Sequence, residues 1–144
     1  MSREAIAIAS DHAGLEVKEV LKKLLLDAGY DVADLGTDGP ESVDYPDYAD
    51  AMAKALADGR AARGVLICGT GIGISIAANR HRHVRAARCC DATDARLARE
   101  HNDANVLVLG SRTSGPETAS DCVRTFLETG FEGGRHQRRV DKMS

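Results

Sequence analysis

The chain has 144 residues, 43% hydrophobic and 28% charged, with a net charge of −3, which is ordinary for a water-soluble globular protein. That charge supplies no field toward nucleic acid or an anionic membrane, and 3% aromatics with no Trp leave few platforms for stacking bases. No apolar run approaches the roughly 20 residues of a membrane span and no signal-like apolar core opens the chain, so a cytoplasmic single domain over residues 1–144 is expected.

The pattern alternates strand and helix. Ala5–Ser10 is a short apolar run that reads as a strand, and residues 14–29 follow as a helix. Its apolar positions are Leu15, Val17, Val20, Leu21, Leu24 and Leu25, and Gly29 ends it. Residues 30–36 read as a second strand. After a turn-rich stretch, an Ala-rich helix runs to Gly59. Residues 64–68 form a third strand and 73–81 a third helix. Residues 84–89 form a fourth strand, followed by a polar-faced helix over 91–103. The fifth strand, 104–110, precedes a long helix punctuated by Pro116 at its first turn and Gly130 at its end. Five strands alternating with helices predict right-handed βαβ units and a three-layer, Rossmann-like α/β fold around a five-stranded parallel sheet. The basic tail, residues 131–144, shows no periodicity and is expected to order only when docked.

In such sheets ligands bind beyond the carboxyl ends of the strands. One of those ends holds Cys68, followed by glycines at 69, 71 and 73 and then a helix. Backbone N–H groups at a glycine-rich helix start cradle an anion. The loop is no P-loop, because no Lys-Ser or Lys-Thr follows. It is no dinucleotide fingerprint either, since Ile74 stands where the third glycine should fall, although Asp91 is spaced as a ribose-binding acid would be. A thiol before a helix N-terminus is favoured as thiolate, able to serve as nucleophile or as base. A base that takes a proton from carbon needs reach, and donors to hold the enolate it creates.

Other strand ends carry polar groups. Asp11 and His12 leave the first strand, where Ser10 or Asp11 can also act simply as a helix cap. His101 and Asn102 end the fourth long helix, and Arg112 follows the fifth strand. Arg135 and Arg139 in the tail are suited to clamping a phosphoryl group. His81 and His83 read as a solvated basic turn. Cys89, Cys90 and Cys122 read as small, partly buried hydrophobes, since four scattered cysteines form neither a disulfide scaffold nor a zinc set.

Taken in order, "SDHAG", "DYPDYA", "ICGTGIGISIAAN", "REHNDANVL", "GSR" and "EGGRHQRRV" resemble the type B ribose-5-phosphate isomerase family, from about residue 5 to about residue 141. That family also includes allose- and galactose-6-phosphate isomerases. The resemblance implies a phosphorylated sugar as substrate and an aldose–ketose isomerisation through an enediolate, in the non-oxidative pentose phosphate pathway. It implies no metal and no nucleotide or other cofactor. By the same resemblance, Cys68 moves the proton, and Gly69, Thr70, Gly71, Ile72 and Gly73 hold the enediolate. His101 opens the sugar ring, Asp11, His12 and Asn102 contact the sugar, and Arg112, Arg135 and Arg139 take the phosphate. Some relatives use a glutamate in the helix after the glycine loop. Here the position is Ser75, and the chain reads as the cysteine type. Family members are homodimers or dimers of dimers with sites across the interface, which would dock the tail on a partner subunit. A nucleotide-binding module and a non-catalytic phosphosugar sensor are the alternatives of another class.

Overall fold

The computed structural model describes residues 3–144. In chain order the elements are β1 (Ala5–Ser10), α1 (Leu15–Asp27), β2 (Asp31–Asp34), α2 (Tyr45–Ala57), β3 (Arg63–Cys68) and α3 (Ile72–Ala78). They continue with β4 (Ala86–Arg88), α4 (Ala92–Asn102), β5 (Val106–Gly110), α5 (Pro116–Glu128) and α6 (Arg135–Met143). Every strand pair is parallel, and the sheet order is β2-β1-β3-β5-β4. This is the three-layer α/β architecture that the alternating pattern predicts.

The central strands are apolar throughout because helices cover both faces of the sheet. Their side chains alternate with period two. Ile6, Ile8, Val65, Ile67, Leu107 and Leu109 pack against Leu21 and Leu25 of α1, Ala95 of α4 and Phe126 of α5. Ala7, Leu66, Val106 and Val108 pack on the other face against Met52 of α2 and Ile74 of α3. The chain therefore leaves β1 toward one face and leaves β3 toward the other. The crevice between those two strand ends is the switch point where a parallel sheet receives its ligand.

Three elements differ from the sequence pattern. Val20 is exposed, and Lys18 takes the inward position on α1, fully buried. Its Nζ donates to Asp34 Oδ1 at 2.7 Å and to the Thr37 carbonyl at 2.7 Å, so the charge is paired where it is buried. Asp91 caps α4, its Oδ1 accepting from the Asp94 N–H at 2.8 Å. That fixes it as a structural cap, and it weakens the nucleotide reading. The tail is also a helix in its own right: α6 buries His136 and Val140, one turn apart, in an otherwise charged sequence.

Lys18→Met should lower stability by about 1–3 kcal/mol, because the Thr37 carbonyl loses its buried donor and Asp34 keeps only Lys22 and the Gly36 N–H; urea denaturation checks this. Burial disfavours the Asp34 carboxylate, but hydrogen bonds from Lys18, the Gly36 N–H and Lys22 outweigh it and hold its pKa below the ordinary 3.8. A carboxyl with a depressed folded-state pKa stabilises above the unfolded value, and that contribution fades as pH falls through the folded value. Stability of the native chain should therefore decline below about pH 4, and this component should shrink in Lys18→Met.

Candidate active site

The switch-point crevice is a cleft of about 540 Å³ lined by Asp11, His12, Ala13, Tyr45, Cys68, Gly69, Thr70, Ile72, Gly73, Ile76 and Arg112. Cys68 ends β3 and is 4% exposed. Its Sγ accepts the Gly71 N–H at 3.2 Å, so a donor is already aimed at the sulfur. That geometry depends on Gly71, whose φ of +77° strains any L side chain and whose missing Cβ would meet the Leu109 carbonyl at 3.1 Å.

The glycine loop has two kinds of N–H. Those of Gly71 and Ile72 are engaged, the first by Cys68 Sγ and the second by Thr70 Oγ1 at 3.2 Å. Those of Gly69, Thr70 and Gly73 meet no protein acceptor among the described residues. The loop N–H groups without a protein acceptor are therefore these three of the five positions. Thr70 Oγ1 accepts from Ile72, which leaves its own O–H free to donate.

His12 is oriented by the loop before α2. Its Nδ1 accepts from the Val43 N–H at 3.1 Å, so the neutral ring carries its proton on Nε2 and offers it as a donor. Asp11 accepts the Gly14 N–H at 3.1 Å and so serves as a cap while also lining the cleft. The Arg112 side chain lies over Gly69, 3.5 Å from where a Cβ would stand. Arg63, Arg85, Arg96, Arg99 and Arg124 are paired with carboxylates, whereas Arg112, Arg135 and Arg139 are in no ion pair among the described residues. The three arginines assigned to phosphate are thus uncommitted.

Tyr45 is a site residue that sequence reasoning missed. It opens α2 and leans across Gly73, its nearest ring atom 2.5 Å from where a Cβ would be. Gly73 is thus a glycine because of the tyrosine, and the pairing of the "DYP" segment with that loop was the available signal.

The remaining predicted residues lie elsewhere. His101 is on the last turn of α4, stacked on His136 of α6. Arg135 and Arg139 belong to α6, and Asn102 lines a separate cavity of about 640 Å³ with Arg80, Val84, Ala104 and Met143. None of the four lines the Cys68 cleft of its own chain.

The other cysteines divide. Burial pushes the Cys89 thiol up to about 12 and the Cys122 thiol up to about 11, so both are inert core groups. Cys90, expected partly buried, is exposed beside Arg88, because the chain turns outward just after β4.

Residues 6–143 match the family model described as Ribose/Galactose Isomerase. The ribose-5-phosphate isomerase B of Escherichia coli is 46% identical over 139 residues, covering 96% of this chain and 93% of that protein. The D-erythrulose-4-phosphate isomerase of Pectobacterium atrosepticum is 41% identical, covering 96% of this chain and 92% of its own length. Among solved structures, a ribose 5-phosphate isomerase from Thermotoga maritima superposes with a TM-score of 0.96 at 54% identity, covering 99% of this chain and 98% of that one. The match runs through the Cys68 loop, the α4 end and the α6 arginines alike, and on that breadth the chain belongs to the ribose/galactose isomerase family.

Proposed function

We propose that this protein is an aldose–ketose isomerase that interconverts ribose 5-phosphate and ribulose 5-phosphate, a step of the non-oxidative pentose phosphate pathway. The observation carrying the reading is the Cys68 thiol, set in one cleft with unengaged N–H groups and the unpaired Arg112. In the thiolate form, Cys68 takes the proton from C2 of the open-chain aldose. The C–H electrons become the C1–C2 double bond, and the aldehyde oxygen becomes the oxyanion of an enediolate. The free N–H groups of Gly69, Thr70 and Gly73 hold that charge, each such donor being worth on the order of 3 kcal/mol in comparable sites. Cys68 then returns the proton to C1, the O2–H proton passes to O1, and the electrons left on O2 form the C2 ketone as the C1–C2 double bond takes up the returned proton.

Ring opening and most of the phosphate clamp come from a second copy of the chain. Tyr45, Ile72 and Ile76 are exposed at the mouth of the cleft, an apolar rim suited to a partner. In a homodimer, His101, Asn102, Arg135 and Arg139 of one chain complete the Cys68 cleft of the other, and α6 is the docking tail. A remote phosphate held by arginines aligns the reacting carbons. A water-filled cellular compartment suits a chain with no helix, among the described residues, long and apolar enough to cross a membrane.

The relative named for erythrulose 4-phosphate keeps substrate length an open variable within the family. Steady-state assays with ribose 5-phosphate, allose 6-phosphate and erythrulose 4-phosphate test the choice. The highest kcat/KM is expected for ribose 5-phosphate; a clear preference for another sugar phosphate would overturn the assignment and keep the chemistry.

A further inference from the structure

Five histidines occur in the chain, and three have rings oriented by hydrogen bonds. His12 accepts from Val43, His81 pairs with Asp50, and His83 meets the Ala53 carbonyl. His101 and His136 are held differently, ring on ring, with centroids 4.3 Å apart and planes 12° from parallel. His101 is half-buried on the last turn of α4, and His136 is 7% exposed near the start of α6.

We infer that His136 is a positioning residue for His101, its ring face fixing the orientation of the imidazole that opens the sugar ring. The inference rests on the reading of His101 as acid/base given above.

The tail is built to deliver that face. The Glu132 N–H donates to the Glu100 carbonyl at 3.1 Å, tying the tail to α4 just before α6 begins. His136 and Val140 are then the buried residues of α6, so the stack is half of what seats the helix. The same helix carries Arg135 and Arg139, one turn apart, along one side of the seat. Val140 and the Glu132–Glu100 bond hold the helix that carries the arginines as well, so the stack itself bears chiefly on the orientation of the acid/base.

His101, His136 and Glu132 bring ligand atoms within 4.8 Å of one another, a donor set that metals accept. The ring geometry opposes that use. A metal bound to imidazole lies close to the ring plane, and two nearly parallel rings offset by a stack share no such point. Arg135 and Arg139 add positive charge nearby. Burial holds His136 below the ordinary imidazole value, with His101 and the arginines adding to the effect and Glu132 opposing it. The ring facing His101 is therefore the neutral form, which stacks without setting one cation on another.

An acid/base free to swing is misplaced for part of the time, and misplacement on the ångström scale costs turnover rather than affinity. The test compares His136→Ala, His136→Gln and His136→Phe in steady-state assays with ribose 5-phosphate, with urea midpoints recorded for each. His136→Ala and His136→Gln should lower kcat about tenfold. KM should stay within about twofold, the mark of a lost turnover-step interaction. His136→Phe, which keeps a ring face and no titrating nitrogen, should recover kcat to within about threefold of wild type. Unchanged kcat in His136→Ala, a raised KM with kcat intact, or a Phe variant as impaired as Ala would each overturn the inference. Failure of the isomerase reading shows instead in the wild type, as absence of turnover.

Discussion

Cys68→Ala should lower turnover of ribose 5-phosphate by about two to four orders of magnitude, the range attributed to a positioned general base. The substituted side chain is small and packs at the end of β3 beside apolar neighbours. The Gly71 N–H loses only a thiol acceptor. Stability should therefore change by only about 1 kcal/mol, the scale of one modest hydrogen bond. KM should move much less than kcat, because His12, Arg112 and the loop donors remain in place. Cys68→Ser should be almost as impaired, since a hydroxyl is far less acidic than a thiol and makes a poor base at neutral pH. Activity of Cys68→Ala within about tenfold of wild type would remove Cys68 as the proton carrier.

The second large effect concerns the division of the site. Cys68→Ala and His101→Ala should each be nearly inactive alone. If each site draws Cys68 from one chain and His101 from the other, a mixed dimer of the two variants contains one intact site and one doubly impaired site. Random equal mixing makes half the dimers mixed, so about a quarter of wild-type activity should return, provided the sites act independently. Unfolding and refolding the mixture together, with each variant treated alone as control, is the measurement. No recovery despite demonstrated subunit exchange would place a complete site within one chain, and the proposed dimer arrangement would fall.

Much of the fold was readable because its signals are local and mutually consistent. Apolar runs at β1, β3 and β5 bounded by glycine and polar turns mark strands buried on both faces, and Pro116 and the helix-ending glycines mark helix limits. The Cys68 cleft was readable for a related reason, since Cys68 to Gly73 is one continuous strand-to-helix turn and Asp11–His12 leaves the neighbouring strand.

Long-range features were not readable from a window of sequence. Lys18 sits where a helical pattern asks for an apolar side chain, and its burial depends on Asp34 and the Thr37 carbonyl, 16 and 19 residues away. Helix α6 escaped because its inward face is one histidine and one valine among cations, and the histidine becomes a core residue only when stacked on His101. Tyr45 was hidden because only contact with Gly73 makes it a wall of the cleft. The two groups of candidate residues, Cys68 with His12 and Arg112, and His101 with Arg135 and Arg139, were named together from sequence. The structure separates them within one chain, and sequence order holds no record of that separation.

The proton path is the centre of this account, and it can be watched directly. Ribose 5-phosphate incubated with the protein in heavy water, followed by NMR, should yield ribulose 5-phosphate with deuterium at C1. Stopped early, the reaction should also show deuterium entering C2 of the remaining ribose 5-phosphate. Both follow from a thiol that exchanges its proton with solvent between taking it from one carbon and giving it to the next. Ribulose 5-phosphate formed with no deuterium at either carbon in the wild type, and equally fast in Cys68→Ala, would contradict a Cys68-borne proton and an enediolate open to exchange.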